Sequence, residues 1–148
     1  MLPRWHILLG AIFTLIIWIS IPEMQSYFLA LIFLSSFLID FDHYVASGLK
    51  TGKWKLSDSF KYHKKIFIQE KKNIARGIKK KGDFHLFHTL EFHLIVGVLG
   101  FFWAGFFYVF IGMVFHSFLD ILSLMHGGVF HVREFFFTNW LRRKIRKN

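Results

Sequence analysis

The sequence predicts an all-α integral membrane protein, a four-helix bundle made of two antiparallel helical hairpins. Three observations carry that expectation. Of 148 residues, 54% are hydrophobic and 21 are Phe, above the roughly 45–50% apolar content of a soluble domain. The apolar residues gather in long runs, 5–21, 27–39 and 94–115, that contain no charged residue. The net charge of +10, from 19 Lys+Arg against 9 Asp+Glu, lies outside those runs. Such hydrophobicity excludes disorder. The absence of cysteine excludes disulfide scaffolds, Fe–S clusters, thiolate zinc sites and cysteine nucleophiles. Residues 1–148 read as a single transmembrane domain.

A spanning helix needs about 20 mostly apolar residues, with a usable minimum of about 17. The first span is expected at 4–21, closed by Pro22. A cleavable signal peptide fits this stretch poorly, because Arg4 is its only early charge and no small-x-small site precedes Pro22-Glu23. The second span is expected at 25–43. The apolar region 86–125 is too long for one crossing, and Gly100, Trp103, Ala104 and Gly105 offer a turn, which gives spans at 85–101 and 104–125. Arg4 precedes the first span, twelve Lys/Arg fall between Lys50 and Lys81, and six lie from Arg133 to Lys147. Four spans put all of them on one side, which the positive-inside rule makes cytoplasmic. A cell-membrane (inner-membrane) protein with both termini cytoplasmic follows.

The connection 45–82 places Phe60, Phe67, Ile74 and Ile78 near one helical face, with Lys64, Lys65, Lys71, Lys72, Lys79 and Lys80 around it. That is the pattern of a helix lying on membrane lipids with anionic headgroups; a solvated charged loop is the simpler alternative. The tail 126–148, with Phe135, Phe136, Phe137 and Trp140 before Arg142, Arg143, Lys144, Arg146 and Lys147, repeats the pattern. No nucleic-acid partner is expected, because no recognised binding module accompanies these basic clusters.

Ionisable groups inside spans are costly and usually functional. His6 begins the first span. Asp40, Asp42 and His43 end the second. His85, His88, Glu91 and His93 begin the third, and His116 and Asp120 lie late in the fourth. All four groups fall toward one end of the bundle. His116 and Asp120, four apart, share a helix face, as do His88 and Glu91, three apart. Asp40 and Asp42 cannot both face one point in a regular helix. Either the chain unwinds at Phe41, or one of the two orients a histidine. Imidazoles and carboxylates without thiolates suit Zn²⁺, with Mn²⁺ or Fe²⁺ as alternatives. The number of candidates admits one or two ions, and paired ions suit phosphoester hydrolysis. His6, Asp42, His43, His88, His93, His116 and Asp120 are the expected ligands, with Asp40 or Glu91 as the general base. His85 reads as solvated or orienting, His63 as part of the basic loop, and His126 and His131 as loop residues beside the site.

The order of these motifs resembles the YdjM-like family of membrane-bound, metal-dependent hydrolases. The matching strings are His6 with Gly10, Asp40-Phe41-Asp42-His43, His88 to His93, and Gly112 to His116 and Asp120. They cover most of the chain by order and spacing, though each is short. Ile39 stands where that family has proline, and the segment after His88 reads TLEF without its Arg-Gly pair. The missing arginine removes the phosphate contact the family pattern would supply there. The ligand set is also similar to that of zinc phospholipase C. The resemblance implies a metal-dependent hydrolase, acting on phosphoester bonds of a lipid or amphiphile at the cytoplasmic face. The rival expectations are a haem or electron-transfer bundle using His93 and His116, and a metal-handling protein without hydrolytic chemistry.

Overall fold

A computed structural model describes residues 3–146. Every regular element among them is helical. Helix α1 (Pro3–Ser20) starts on a proline, whose fixed φ suits the first helical position. It stops at the turn containing Pro22. Helix α2 (Ser26–Leu38) follows, and the backbone then turns at Ile39 and Asp40 before α3 (Phe41–Thr51) continues. Gly52 closes α3 in the left-handed region, with φ 68°. Helix α4 (Leu56–Ala75) is the long basic helix. A 3₁₀ turn at Leu86–His88 leads into α5 (Leu90–Leu99), whose first turn is capped by the Thr89 side chain accepting from Phe92 N at 3.3 Å. Helix α6 (Ala104–His126) is the longest, and α7 (Phe137–Ile145) ends the described chain.

Three stretches are long and apolar enough to cross a membrane: Pro3–Ser20, Ser26–Thr51 taken through the bend, and Ala104–His126. The third expected span, 85–101, is helical only over Leu90–Leu99. Ten residues rise about 15 Å, half of a hydrocarbon core of about 30 Å. The chain before it is held in the 3₁₀ turn and the Thr89 cap, which bring His88 to the site instead of lengthening the helix. The second stretch differs too: helix continues past 43 to Thr51, so the basic connection starts later than 45. In that connection Ile78 lies beyond the end of α4, while Phe60 and Phe67 are exposed on it.

Helix α2 packs most extensively on α6 and then on α1, and α5 also packs on α6. Small residues permit this. A Cβ added at Gly112 of α6 would meet Ile32 O of α2 at 2.3 Å, and one at Gly10 of α1 would meet Ser36 Oγ at 2.1 Å. Close backbone approach at Gly and Ser is how helices pack where apolar burial supplies little drive. The buried apolar core is accordingly small: Ile32, Ile39, Val96 and Met113. Leu8, Ile12, Leu15, Ile16, Trp18 and Ile19 of α1 instead face outward. An apolar surface of that extent calls for a lipid surround.

The basic segments are tied to the bundle end that carries the polar residues. Asp83 accepts from Tyr62 of α4 at 2.7 Å and pairs with Lys50 of α3. Burial alone would raise the Asp83 carboxyl, but the hydrogen bonds from Lys50 and Tyr62 outweigh it and hold its pKa below the usual range. Burial and the same contact raise the Tyr62 phenol. Lys81 donates to Arg133 O at 2.7 Å, and Leu90 N donates to Phe135 O at 2.9 Å. The tail thereby folds across the start of α5.

Candidate metal centre

Each apolar helix delivers its polar residue to one end. On α1 the only buried residues are His6 and Gly10, one turn apart, with Gly10 against Ser36 of α2 and His6 against His116 of α6. The α2–α3 bend delivers Asp40, Asp42 and His43, and the 3₁₀ turn delivers His88. Helix α6 delivers His116 and Asp120, which are both buried. His6, Asp40 and His116 offer ligand atoms within 4.8 Å of one another, and so do His88, His116 and Asp120.

Hydrogen bonds fix how the two central imidazoles present themselves. His88 Nδ1–H donates to Asp42 Oδ2 at 3.0 Å, and Asp42 Oδ2 also accepts from Phe87 N at 2.9 Å. His116 Nδ1–H donates to Ser36 O at 2.9 Å. A carboxylate and a carbonyl can only accept, so each ring carries a proton on Nδ1, and in the neutral form Nε2 is left with a lone pair. Those two Nε2 atoms face each other at 3.1 Å. Asp40 Oδ1 lies 3.5 Å from each, and Asp120 Oδ2 lies 3.5 Å from His116 Nε2. The neighbouring His6 ring stacks on His116 with centroids 3.9 Å apart. Its Nε2 is 3.1 Å from Asp120 Oδ1, yet both ring nitrogens are buried without hydrogen-bond geometry.

Two neutral rings so placed repel one another unless a proton or a metal cation lies between their nitrogens. Tetrahedral zinc with ligands at about 2.0–2.1 Å separates its donor atoms by about 3.3 Å, which is the spacing found here. The charges agree. Among the described residues neither Asp40 nor Asp42 pairs with Lys or Arg; their partners are imidazoles. Buried carboxylates in that position need compensation, and a divalent cation supplies two charges. The Nδ1–H contacts to Asp42 and Ser36 O are the orienting bonds usual behind metal-binding histidines. The residues present therefore fit a divalent ion.

Placement of the expected residues is uneven. His6, Asp40 and His116 form one group of ligand atoms and His88, His116 and Asp120 another, the two joined through His116. Asp40 Oδ1 faces the His88 and His116 imidazoles, while Asp42 Oδ2 takes the orienting part expected of one of the pair, against His88. The bend falls at Ile39–Asp40, one residue before Phe41. His43 lies to one side, with Nε2 3.5 Å from Asp40 Oδ1. His93 belongs to none of the ligand groups. Its Nδ1–H donates to Thr89 O at 2.9 Å, and Ser117 Oγ lies 3.0 Å from its Nε2. Glu91 is also elsewhere, accepting from Phe137 N at 2.9 Å and from Thr138 N and Oγ1 at 3.1 and 2.9 Å. It caps the start of α7, where a carboxylate is favoured. Glu91→Ala is expected to leave metal content unchanged and to loosen the tail by about 1 kcal/mol. Faster amide exchange confined to 135–146 would show this, whereas loss of the ion would place Glu91 in the centre.

One functional candidate had no signal in the motif pattern. Arg133 Nη1 donates to Asp120 Oδ2 at 2.7 Å. It stands alone in the sequence, nine residues before the tail's basic run, and reads there as one more cytoplasmic charge. The chain matches no protein-family model, no curated protein and no solved structure.

Proposed function

We propose that the protein is a four-span membrane hydrolase that uses a divalent ion, most simply Zn²⁺, to cleave phosphoester bonds of a lipid or amphiphile. The observation that carries this reading is the pair of imidazole lone pairs, His88 Nε2 and His116 Nε2, set 3.1 Å apart beside Asp40. Helix α5 with its flanking turns makes the fourth crossing, and the basic end faces the cytoplasm. The similarity of motif order to YdjM-like hydrolases points the same way.

A divalent ion bound there supplies Lewis-acid polarisation of a phosphoryl oxygen and acidifies water near neutral pH. The chain's own residues do the rest. His6, His88, His116, Asp40 and Asp120 hold the ion, and Asp42 and Ser36 O fix the two imidazoles. Asp40, with its side chain 20% exposed against 8% for Asp42 and Asp120, is the carboxylate placed to take a proton from an attacking water. Arg133 is a guanidinium at the edge of the centre, able to move from Asp120 to a phosphoryl oxygen. It fills the part left open by the missing Arg-Gly pair. The exposed Phe60 and Phe67 of α4, with their lysines, rest on an anionic leaflet and draw anionic headgroups toward the site.

The test is hydrolysis by purified protein in lipid nanodiscs, against phosphate monoesters and diesters of lipids and of soluble amphiphiles. Phosphate-ester cleavage abolished by chelator and restored by Zn²⁺ or Mn²⁺ is expected. A metal-loaded protein inert toward the whole panel would contradict the reading. Arg133→Ala should keep its metal and lower kcat/KM about 10–100-fold, the loss of one charge-assisted hydrogen bond.

A further inference from the structure

Beside the deep centre, a second group of ligand atoms is formed by Asp42, His43 and His85, all within 4.8 Å of one another. The two sides of Asp42 differ. Its Oδ2 is used twice, by His88 and by Phe87 N. Its Oδ1 is buried and has no hydrogen-bond partner, on a residue only 7% exposed. The atom facing it, His85 Nδ1, is also buried and unpartnered. The two lie 3.7 Å apart, too far for a hydrogen bond and near the spacing of two ligands on one ion. The His43 ring lies against the His85 ring, with centroids 3.6 Å apart. His63 Nε2–H donates to His43 O at 2.9 Å, which ties α4 to this wall. Asp40, His43 and His88 form a further group that links the two clusters through Asp40.

The clusters differ in access. The side chains of His116 and His88 are 0% and 1% exposed, whereas that of His43 is 33% exposed. Structural metal sites are closed, while catalytic ones keep a position open to water or substrate. Charge sets a further condition. Asp40, Asp42 and Asp120, with Arg133 paired to Asp120, leave two negative charges that balance one divalent ion, so a second brings two positive charges without carboxylate partners. A phosphate monoester dianion carries the charge that closes that gap.

We propose that Asp42 Oδ1, His43 and His85 form a second, shallower cation site, sharing Asp40 with the deep centre and filled together with a dianionic phosphate group. This rests on the phosphoesterase reading and narrows its substrate class to phosphate monoesters. Paired ions sharing a carboxylate would supply the arrangement commonly used in phosphoester hydrolysis.

The experiment is a Mn²⁺ titration of the full chain followed by electron paramagnetic resonance, with and without inorganic phosphate. One equivalent is expected to bind alone. A second, with the signal of a spin-coupled pair, is expected only when phosphate is present. His85→Ala and His85→Asn should each keep the first equivalent and lose the second; the retained equivalent reports that both variants fold. A parallel arm in nanodiscs replaces phosphate by phosphatidic acid, with phosphatidylcholine as the control. A second equivalent with the lipid alone assigns the phosphate to a headgroup, and one with free phosphate alone assigns it to a soluble ester. One equivalent under every condition, or two that survive both substitutions, overturns the second site and leaves the deep centre standing. Failure to bind even the first equivalent overturns both.

Discussion

His116→Ala is expected to strip a bound divalent ion from the purified protein, and with it the proposed hydrolytic activity. His116 Nε2 is the atom nearest to everything else in the centre: 3.1 Å from His88 Nε2, and 3.5 Å from both Asp40 Oδ1 and Asp120 Oδ2. Removing the ring takes away a ligand and also leaves Ser36 O without its donor, which costs about 1–3 kcal/mol in a buried setting. Asp42→Asn is the graded companion. The amide still accepts from His88 but no longer holds it with a charge, and loss of such an orienting carboxylate weakens metal binding about 10–100-fold. His116→Ala should fall well beyond that. Competition against a chromophoric chelator, with elemental analysis of each variant, measures both. Equal affinity in wild type and His116→Ala would remove the imidazole from the site.

Gly112→Ala is expected to have the largest effect of any one-carbon change, although it touches no ligand. The added Cβ would sit 2.1 Å from Ser35 Oγ and 2.3 Å from Ile32 O. The serine can rotate, but the carbonyl belongs to the α2 backbone, so α6 must move away from α2. Overpacking of this kind costs about 1–3 kcal/mol and occasionally more. The move also reaches the site, because His116 lies one turn beyond Gly112 and donates across the same interface to Ser36 O at 2.9 Å. Lower thermal stability in detergent and weaker metal retention should therefore appear together. Gly10→Ala makes the informative contrast: its Cβ meets chiefly the Ser36 side chain, which can turn away. A Gly112→Ala protein as stable as wild type would mean that α2 and α6 are not in backbone contact.

What the sequence makes legible follows from how locally each feature is determined. Helices α1 and α6 are long, predominantly apolar runs, and their ends fall within a residue of expectation. The spacing of His116 and Asp120 needs only helical periodicity, so both reach the centre. The string LIDFDHY shows that Asp40 and Asp42 must diverge. Which of them faces inward depends on where the bend falls, and that is set by packing of α2 on α6. The face expected to be shared by His88 and Glu91 requires helix through His88, but the helix begins only at Leu90 after the Thr89 cap. The carbonyl of Ser36 leaves no trace in a side-chain pattern, although it fixes the His116 tautomer. Arg133 is legible only as charge until the tail folds across α5.

A divalent ion is proposed to lie among His88, His116, Asp40, Asp120 and His6. X-ray absorption spectroscopy on tag-free, folded protein tests it most directly, combined with elemental analysis of the same sample. The predicted result is at least one tightly held divalent ion per chain, ligated by nitrogen and oxygen at about 2.0–2.1 Å with imidazole scattering. Folded protein that neither carries nor takes up Zn²⁺, Mn²⁺ or Fe²⁺ would contradict it.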